Sequence, residues 1–463
     1  MKFASFSSLT LALALALLSA CGGGGGADTP SAPTLVSIAV TPADASLAVG
    51  ATKQYIATGT YSDGSAADLK DKGVTWSTSG GVASIASAGL ATGKNLGAGA
   101  VLATLSSIVG STPVTVRGPW TAFAAGGAHT LARKSNGTLS AWGLNRSGQL
   151  GDDTKVDKTS PAAVGTASNW SQVAAGEFHT VAIRTDGTLW AWGFNQNGQL
   201  GDGSTTDRAA PVQIGKDKWV AVAAGKAHTL AIKSDGTLYA WGRNFDSQLG
   251  DNTTVDKTAP GKIGVAVNWS AVSAGDTHSL ARRTDGSLYA WGGNSEGQLG
   301  LGHTNVTREP ARIGSSTWVS ITASASHSAA IRADGALFAW GFNGSGQLGT
   351  GDEAAQLAPM QVGLASDWAL VTAGVNYTLA VKANGTLWSW GTNTDGQLGL
   401  GDTFDTSNPK QVGSANNWVG VSAGYKHAVG LRGDGTLWVW GRNEEGQLGL
   451  GNLIIRTVPT PLP

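Results

Sequence analysis

The chain of 463 residues holds one cysteine, Cys21, and two methionines. A single thiol excludes an internal disulfide, a paired-cysteine metal site and a disulfide-stapled scaffold. Charge is also scarce. Lysine plus arginine number 31 and aspartate plus glutamate 31, so the formal net charge is zero. No basic block occurs, and nucleic-acid binding therefore has no electrostatic footprint. No Gly-x-Ser-x-Gly elbow, phosphate loop or His-Glu-x-x-His is present, which leaves the common hydrolase, nucleotide and zinc-protease chemistries without their motifs. Nor does an apolar stripe at i, i+3, i+4 run through the chain, so helical repeats fit poorly.

What is abundant is repetition. Between Trp120 and Pro463 one pattern is written seven times, opening at Trp120, Trp170, Trp219, Trp269, Trp318, Trp368 and Trp418. A period of 49 or 50 residues implies a solenoid, a propeller or an array. The opening Trp lies 23 residues before the Gly of Trp-Gly in every unit, and Gln lies 12 before Pro. Such constancy leaves no room for an inserted lid. Each unit reads as four short strands: Trp170–Ala175, His179–Arg184, Thr188–Trp192 and a fourth opening at Pro211. Asp186-Gly187 and its counterparts in the other units predict a type I′ hairpin turn between the second and third strands. Four antiparallel strands per repeat make one propeller blade.

The motif Trp-Gly-x-Asn-x-x-Gly-Gln-Leu-Gly, with Ala-Gly-x-x-His-Thr upstream, resembles the regulator of chromosome condensation repeat family over residues 118–463. The resemblance implies an all-β fold with a seven-bladed propeller. Ser324 stands for the Gly of repeat five, Tyr377 for the His of repeat six, and Asp246-Ser247 for x-Gly in repeat three. The family name suggests guanine-nucleotide exchange on a small GTPase, which the uniform blades and an export signal disfavour.

Ahead of the repeats, residues 1–20 read as a signal peptide: Lys2, an apolar Leu9–Leu18 run, then Leu18-Ser19-Ala20-Cys21. These last four residues resemble a bacterial lipobox, which implies lipidation at Cys21 and membrane attachment through it. Residues 21–33 are a glycine-rich tether. Residues 34–117 resemble the group 2 bacterial immunoglobulin-like domain, an Ig-like β-sandwich with Trp76 as its core tryptophan, and read as a stalk. The implied location is the cell envelope, at the outer membrane.

Six histidines, His129, His179, His228, His278, His327 and His427, share one repeat position. A ring of imidazoles invites a metal site or a hydrolase at the propeller axis. One blade separates each from the next, and buried histidines bonding backbone at strand starts are the simpler reading; Tyr377 in the same slot favours it. Acidic loops such as Asp152-Asp153 with Asp157, and Asp402 with Asp405, suggest calcium, but turn chemistry explains them equally. No cofactor is expected. A light-sensing reading needs Trp after the Gly of Ala-Gly-x-x-His, and those slots hold Gly127, Glu177, Lys226, Asp276, Ala325, Val375 and Tyr425.

The residues between that Gly and His vary most: Glu177-Phe178, Lys226-Ala227, Asp276-Thr277, Val375-Asn376 and Tyr425-Lys426. Blade symmetry puts them on one rim, with Tyr377 beside them. Phe178, Tyr377 and Tyr425 next to charges have the composition of an interface hot spot. Loops such as Gln196-Asn197, Phe245-Asp246 and Glu444-Glu445 are expected on the opposite rim. The function expected is a non-enzymatic binding scaffold whose partner is a protein or a surface polymer.

Overall fold

The computed structural model describes residues 31–463; the signal segment and Cys21, with its expected lipidation, lie outside the described residues. Among the described residues every regular element is a β-strand.

Leu35–Thr41, Ile56–Tyr61 and Ala66–Asp68 form one sheet of the Ig-like domain. Ala45–Ala48, Ile108–Arg117, Gly97–Leu105 and Thr75–Ser79 form a second, and Thr52–Gln54, Leu90–Gly93 and Ala83–Ile85 a short third. Period-two alternation turns Val114, Val116, Val101 and Ala103 inward. Trp76 does not fill the centre of this core. Its strand is the edge of the second sheet, covered from one side only, so Trp76 packs at the margin and Tyr55 is the fully buried aromatic.

Seven four-stranded antiparallel meanders follow, each made of four consecutive strands. In the second these are Trp170–Ala175, His179–Arg184, Leu189–Gly193 and Arg208–Gln213. The outermost strand begins ahead of its proline. Pro211 is tolerated inside it because one side of an edge strand needs no donor. The hairpin between the second and third strands is not type I′. Gly187 N donates to Arg184 O at 2.8 Å and Arg184 N to Thr188 O at 3.0 Å. Gly187 has φ +82°, whereas Asp186 keeps a negative φ. This is a three-residue loop closed by a glycine bulge. The Asp186 carboxylate explains it, since Oδ1 accepts from Thr188 N and Oγ1 at 2.9 and 2.7 Å, a local bond that holds Asp186 out of the left-handed region.

The hydrophobic cores lie between blades. Val181, Ile183, Leu189, Leu200 and Ile214 of the second blade pack on Trp219, Ala231 and Trp241 of the third. The ring closes without strand exchange: Trp120, Ala132 and Trp142 of the first blade enter the same kind of cluster with Val429, Leu437 and Leu448 of the seventh. At this seam Phe123 lies over Gly420, where a Cβ would approach its ring to 3.1 Å.

Topology also fixes two faces. In a four-stranded meander the first and third turns share one end, and the second turn lies at the other. The Ig-like domain enters at the second-turn face, where Gly118 N donates to Asp434 O at 2.6 Å and Arg117 Nη1 to Gly433 O at 3.3 Å.

Candidate functional site

The repeat motif is a lock between neighbouring blades. Each imidazole faces a hydroxyl of the next blade: His129 Nε2 to Thr180 Oγ1 at 3.1 Å, His228 to Ser279 at 2.9 Å, His278 to Ser328 at 2.8 Å. The seam repeats this with His427 and Thr130 at 2.9 Å. The hydroxyl donates in turn to a Gln carbonyl, as Thr180 Oγ1 to Gln149 O at 2.9 Å, and the Trp192 indole donates to the same carbonyl at 3.0 Å. A hydroxyl that donates there must accept from the histidine, so Nε2 carries the proton. Nδ1 is then a bare acceptor, and it has no partner among the described residues. The preceding Gly leaves room for the ring in six of the seven blades, and Ser324 fills that slot in the fifth, where its hydroxyl donates to Gly374 O. A Cβ at Gly176 would lie 2.4 Å from the His179 ring.

Thus the histidines do bury themselves at strand starts, but they bond side chains of the adjacent blade and not backbone. They are spread round the junctions between blades and do not converge on the axis. Burial holds all six down at about 3, because an imidazolium there would lose its hydration. The axis itself is a narrow channel of about 280 Å³ lined by Ala, Gly, Ser, Thr and Val of the first strands, with Phe123 and several turn side chains at its ends.

Tyr377 replaces one member of the lock. Its hydroxyl donates to His427 O at 2.6 Å, with Gly424 O at 3.0 Å. The slot it faces in the next blade, Thr or Ser elsewhere, is Ala428. Tyr377 is fully buried and leaves the expected rim. Adjacency to variable residues suggests the rim, but Tyr377 occupies the histidine slot, whose strand position points between blades.

The acidic loops are tied up in the same framework. Asp157 Oδ1 accepts from Asn145 N at 2.7 Å, and Asp152 Oδ1 from Asn145 Nδ2 and Thr154 Oγ1 at 2.9 and 2.7 Å. Asp405 and Asp402 do the same for Asn393. The Asn of Trp-Gly-x-Asn is the organiser: its Nδ2 also reaches loop carbonyls, and its Oδ1 accepts from Leu150 N at 2.9 Å.

What the framework leaves free forms a bowl of about 830 Å³ on the first-turn face. In every blade the residue after Trp-Gly donates its N–H to the carbonyl just before the histidine slot: Phe194 to Phe178, Arg243 to Ala227, and Arg442 to Lys426, at 2.8 to 2.9 Å. First turn and third loop are therefore side by side. The loops at Asn197 and Glu445 line the same bowl as Phe178 and Lys426, and the expected opposite rim is corrected accordingly.

Of the expected rim residues, Glu177, Phe178, Lys226, Val375, Tyr425 and Lys426 line the bowl. Asp276 lies at the channel mouth beneath. Asn376 turns aside, with Gln347 Nε2 donating to its Oδ1 at 3.3 Å. Tyr425 crosses the axis from the seventh blade to donate to Asp276 Oδ1 in the fourth at 3.1 Å. Lys226 Nζ is 3.8 Å from the same carboxylate. Burial raises Asp276 above its ordinary range, and Lys226 and the Tyr425 bond work against that rise. Burial likewise raises Glu177 and, with the Asp276 charge, the Tyr425 phenol. Phe194, Arg146, Arg243, Arg442 and Leu144 belong to the bowl and were missed. The signal available was the meander rule that turns one and three coincide.

These features have matches among known proteins. A family model described as RCC1-like domain matches residues 216–463. Two models for the regulator of chromosome condensation (RCC1) repeat match within residues 120–232, and the bacterial Ig-like domain (group 2) matches 35–116. The structure of human WBSCR16 is similar at TM-score 0.65 and 22% identity, covering 70% of this chain and 94% of that one. Prp20p of Saccharomyces cerevisiae, described for its binding to Gsp1p and histones, is similar at TM-score 0.61 and 26% identity, covering 67% and 82%. Ice-binding protein 1 of Shewanella frigidimarina is 47% identical over 75 residues, 16% of this chain; the chain spans 8% of that relative's length.

Proposed function

The chain belongs to the RCC1-like domain family, and from that premise we propose that it is an envelope binding module, held by lipid at Cys21, whose Ig-like domain carries the propeller and whose bowl docks a protein or surface polymer. The observation that carries this reading is the bowl itself. Most of its side chains are ones the repeat does not repeat, they are set on a rigid frame, and they face away from the end where the Ig-like domain enters. Rigid scaffolds with variable loops are suited to recognition. The histidines do not serve as acid or base groups in this reading, since each Nε2 is engaged by a hydroxyl.

The test is retention of the protein on envelope material by wild type and by the Phe178→Ala, Tyr425→Ala double variant. Equal retention by a folded double variant would move the contact face elsewhere. Lipidation predicts fatty-acid labelling that disappears in Cys21→Ser, and persistent labelling would remove the anchor. Exchange on a small GTPase has the family relationship and the Prp20p likeness behind it. Nucleotide release accelerated by the purified protein would put that reading first.

A further inference from the structure

Within the reading above, which takes the bowl as the contact face, we infer that its ligand is a neutral saccharide segment, so that the partner is a surface glycan. Three features lead there. The first is shape. About 830 Å³ of concave space is the size of a small-ligand cleft, whereas a stable protein interface spreads over about 800 Å² per partner. A narrow chain can fill a space of this size along its length, whereas a protein would reach into it only with a projecting loop.

The second is charge. Arg146, Lys226, Arg243, Lys426 and Arg442 line the bowl, yet four of the five already hold carboxylates. Lys226 is paired to Asp276 at 3.8 Å, Arg243 to Asp246 at 3.3 Å, Lys426 to Asp395 at 3.1 Å and Arg442 to Glu445 at 3.1 Å. The surface is compensated by its own ion pairs and has little field left to draw an acidic or basic polymer. Each pair still offers donors beside acceptors, the arrangement that neighbouring sugar hydroxyls complement from both sides. Glu177 adds a half-buried carboxylate on the bowl wall that, among the described residues, feels the Lys226 charge but closes no ion pair with it. A neutral hydroxyl can donate to it without bringing a charge past the surrounding cations.

The third is the apolar wall. Phe178 and Phe194 meet at 6.3 Å and 74°, half-buried, with Leu144 and Val375 nearby in the lining. Their exposed ring surface is suited to the C–H face of a pyranose, and it lies within one bowl of the ion pairs that take the hydroxyls.

The experiment is calorimetric titration of the full chain, purified in detergent, with maltotetraose, cellotetraose and chitotetraose, and in parallel with polygalacturonate. At least one neutral sugar should bind, with affinity changing less than about two-fold between about 50 and about 500 mM salt, since no ionic contact drives it. Phe178→Ala should weaken binding about ten-fold or more, and Glu177→Gln should weaken it measurably, both with unchanged thermal melting. Failure of all three neutral sugars, or binding insensitive to both variants, overturns the saccharide assignment. Salt-sensitive binding of polygalacturonate alone overturns it in favour of an ionic polymer. If sugars fail while envelope retention is lost in the Phe178→Ala, Tyr425→Ala variant, the contact face stands and the saccharide assignment falls. If sugars bind equally to that variant, the bowl is wrong on both counts.

Discussion

At the scale of single residues, the departures from the repeat explain one another. Tyr377 and Ala428 are two halves of one exchange: the longer side chain reaches backbone, so the hydroxyl it would have met is dispensable. Tyr377→His should strand an imidazole N–H against a methyl group and cost about 1–3 kcal/mol. Adding Ala428→Thr should recover most of it, giving a coupling of about 1 kcal/mol or more in a double-mutant cycle read by urea midpoints. Additive effects would show that the two positions are independent. Ser247 is the second departure. It holds φ +60° where the other repeats place glycine, and its buried Oγ has no partner. Ser247→Gly should therefore stabilise the fold by about 1 kcal/mol, and a lower melting temperature would contradict that strain.

At the scale of elements, each side chain serves either the seams or the bowl. Trp241 is fully buried at the junction of two blades and donates to Gln199 O at 2.9 Å. Trp241→Ala should cost about 3–5 kcal/mol by leaving a cavity, while Phe178→Ala, with its half-exposed ring, should cost stability far less. Tyr377→Ala should likewise cost stability, since that ring is fully buried in an inter-blade core. The third loops depend on one amide apiece. Asn195 Nδ2 reaches Ser204 O and Thr206 O at 3.0 and 3.1 Å, and Asn195 Oδ1 accepts from Leu200 N at 2.9 Å. Asn195→Ala should release that loop. Amide hydrogen exchange should rise over Gly201–Thr206 and stay unchanged in the distant fifth blade; uniform protection would mean that the backbone holds itself.

For the whole molecule, the ring of neutral histidines sets the acid limit. An imidazole in the unfolded chain titrates near 6.5, whereas the six in the locks are held at about 3. Between those values the unfolded chain binds more protons, so stability is complete above about pH 6.5 and falls as pH drops towards 3. Each histidine withdraws about 1.4 kcal/mol per pH unit in that window. Glu177 and Asp276, both raised, act in the opposite sense but number two against six. Urea midpoints should fall steeply from pH 6.5 to 4.5, and His228→Gln should lower the slope by about one proton. A flat profile would mean that the imidazoles are charged or solvated in the native ring.

The sequence by itself determined what is periodic. Constant spacing from Trp to Gly and from Gln to Pro imposes seven equal meanders, because each blade can bury its apolar face only against another. Strand bounds such as Trp170–Ala175 were legible from alternation, and the Ig-like domain from its own pattern. Local chemistry already blurred this, as the Asp186 carboxylate chose a three-residue turn where Asp-Gly alone suggested two. What only the tertiary structure decided is what faces what across blades. That Tyr377 points into a seam while Tyr425, a few dozen residues on, spans the axis to Asp276 depends on closing the ring. So does the bowl, where Phe194 and Arg442 join Phe178 and Lys426. Spacing along the chain records the period of a blade, but contact across a disc is set by closure, which brings together residues 149 positions apart.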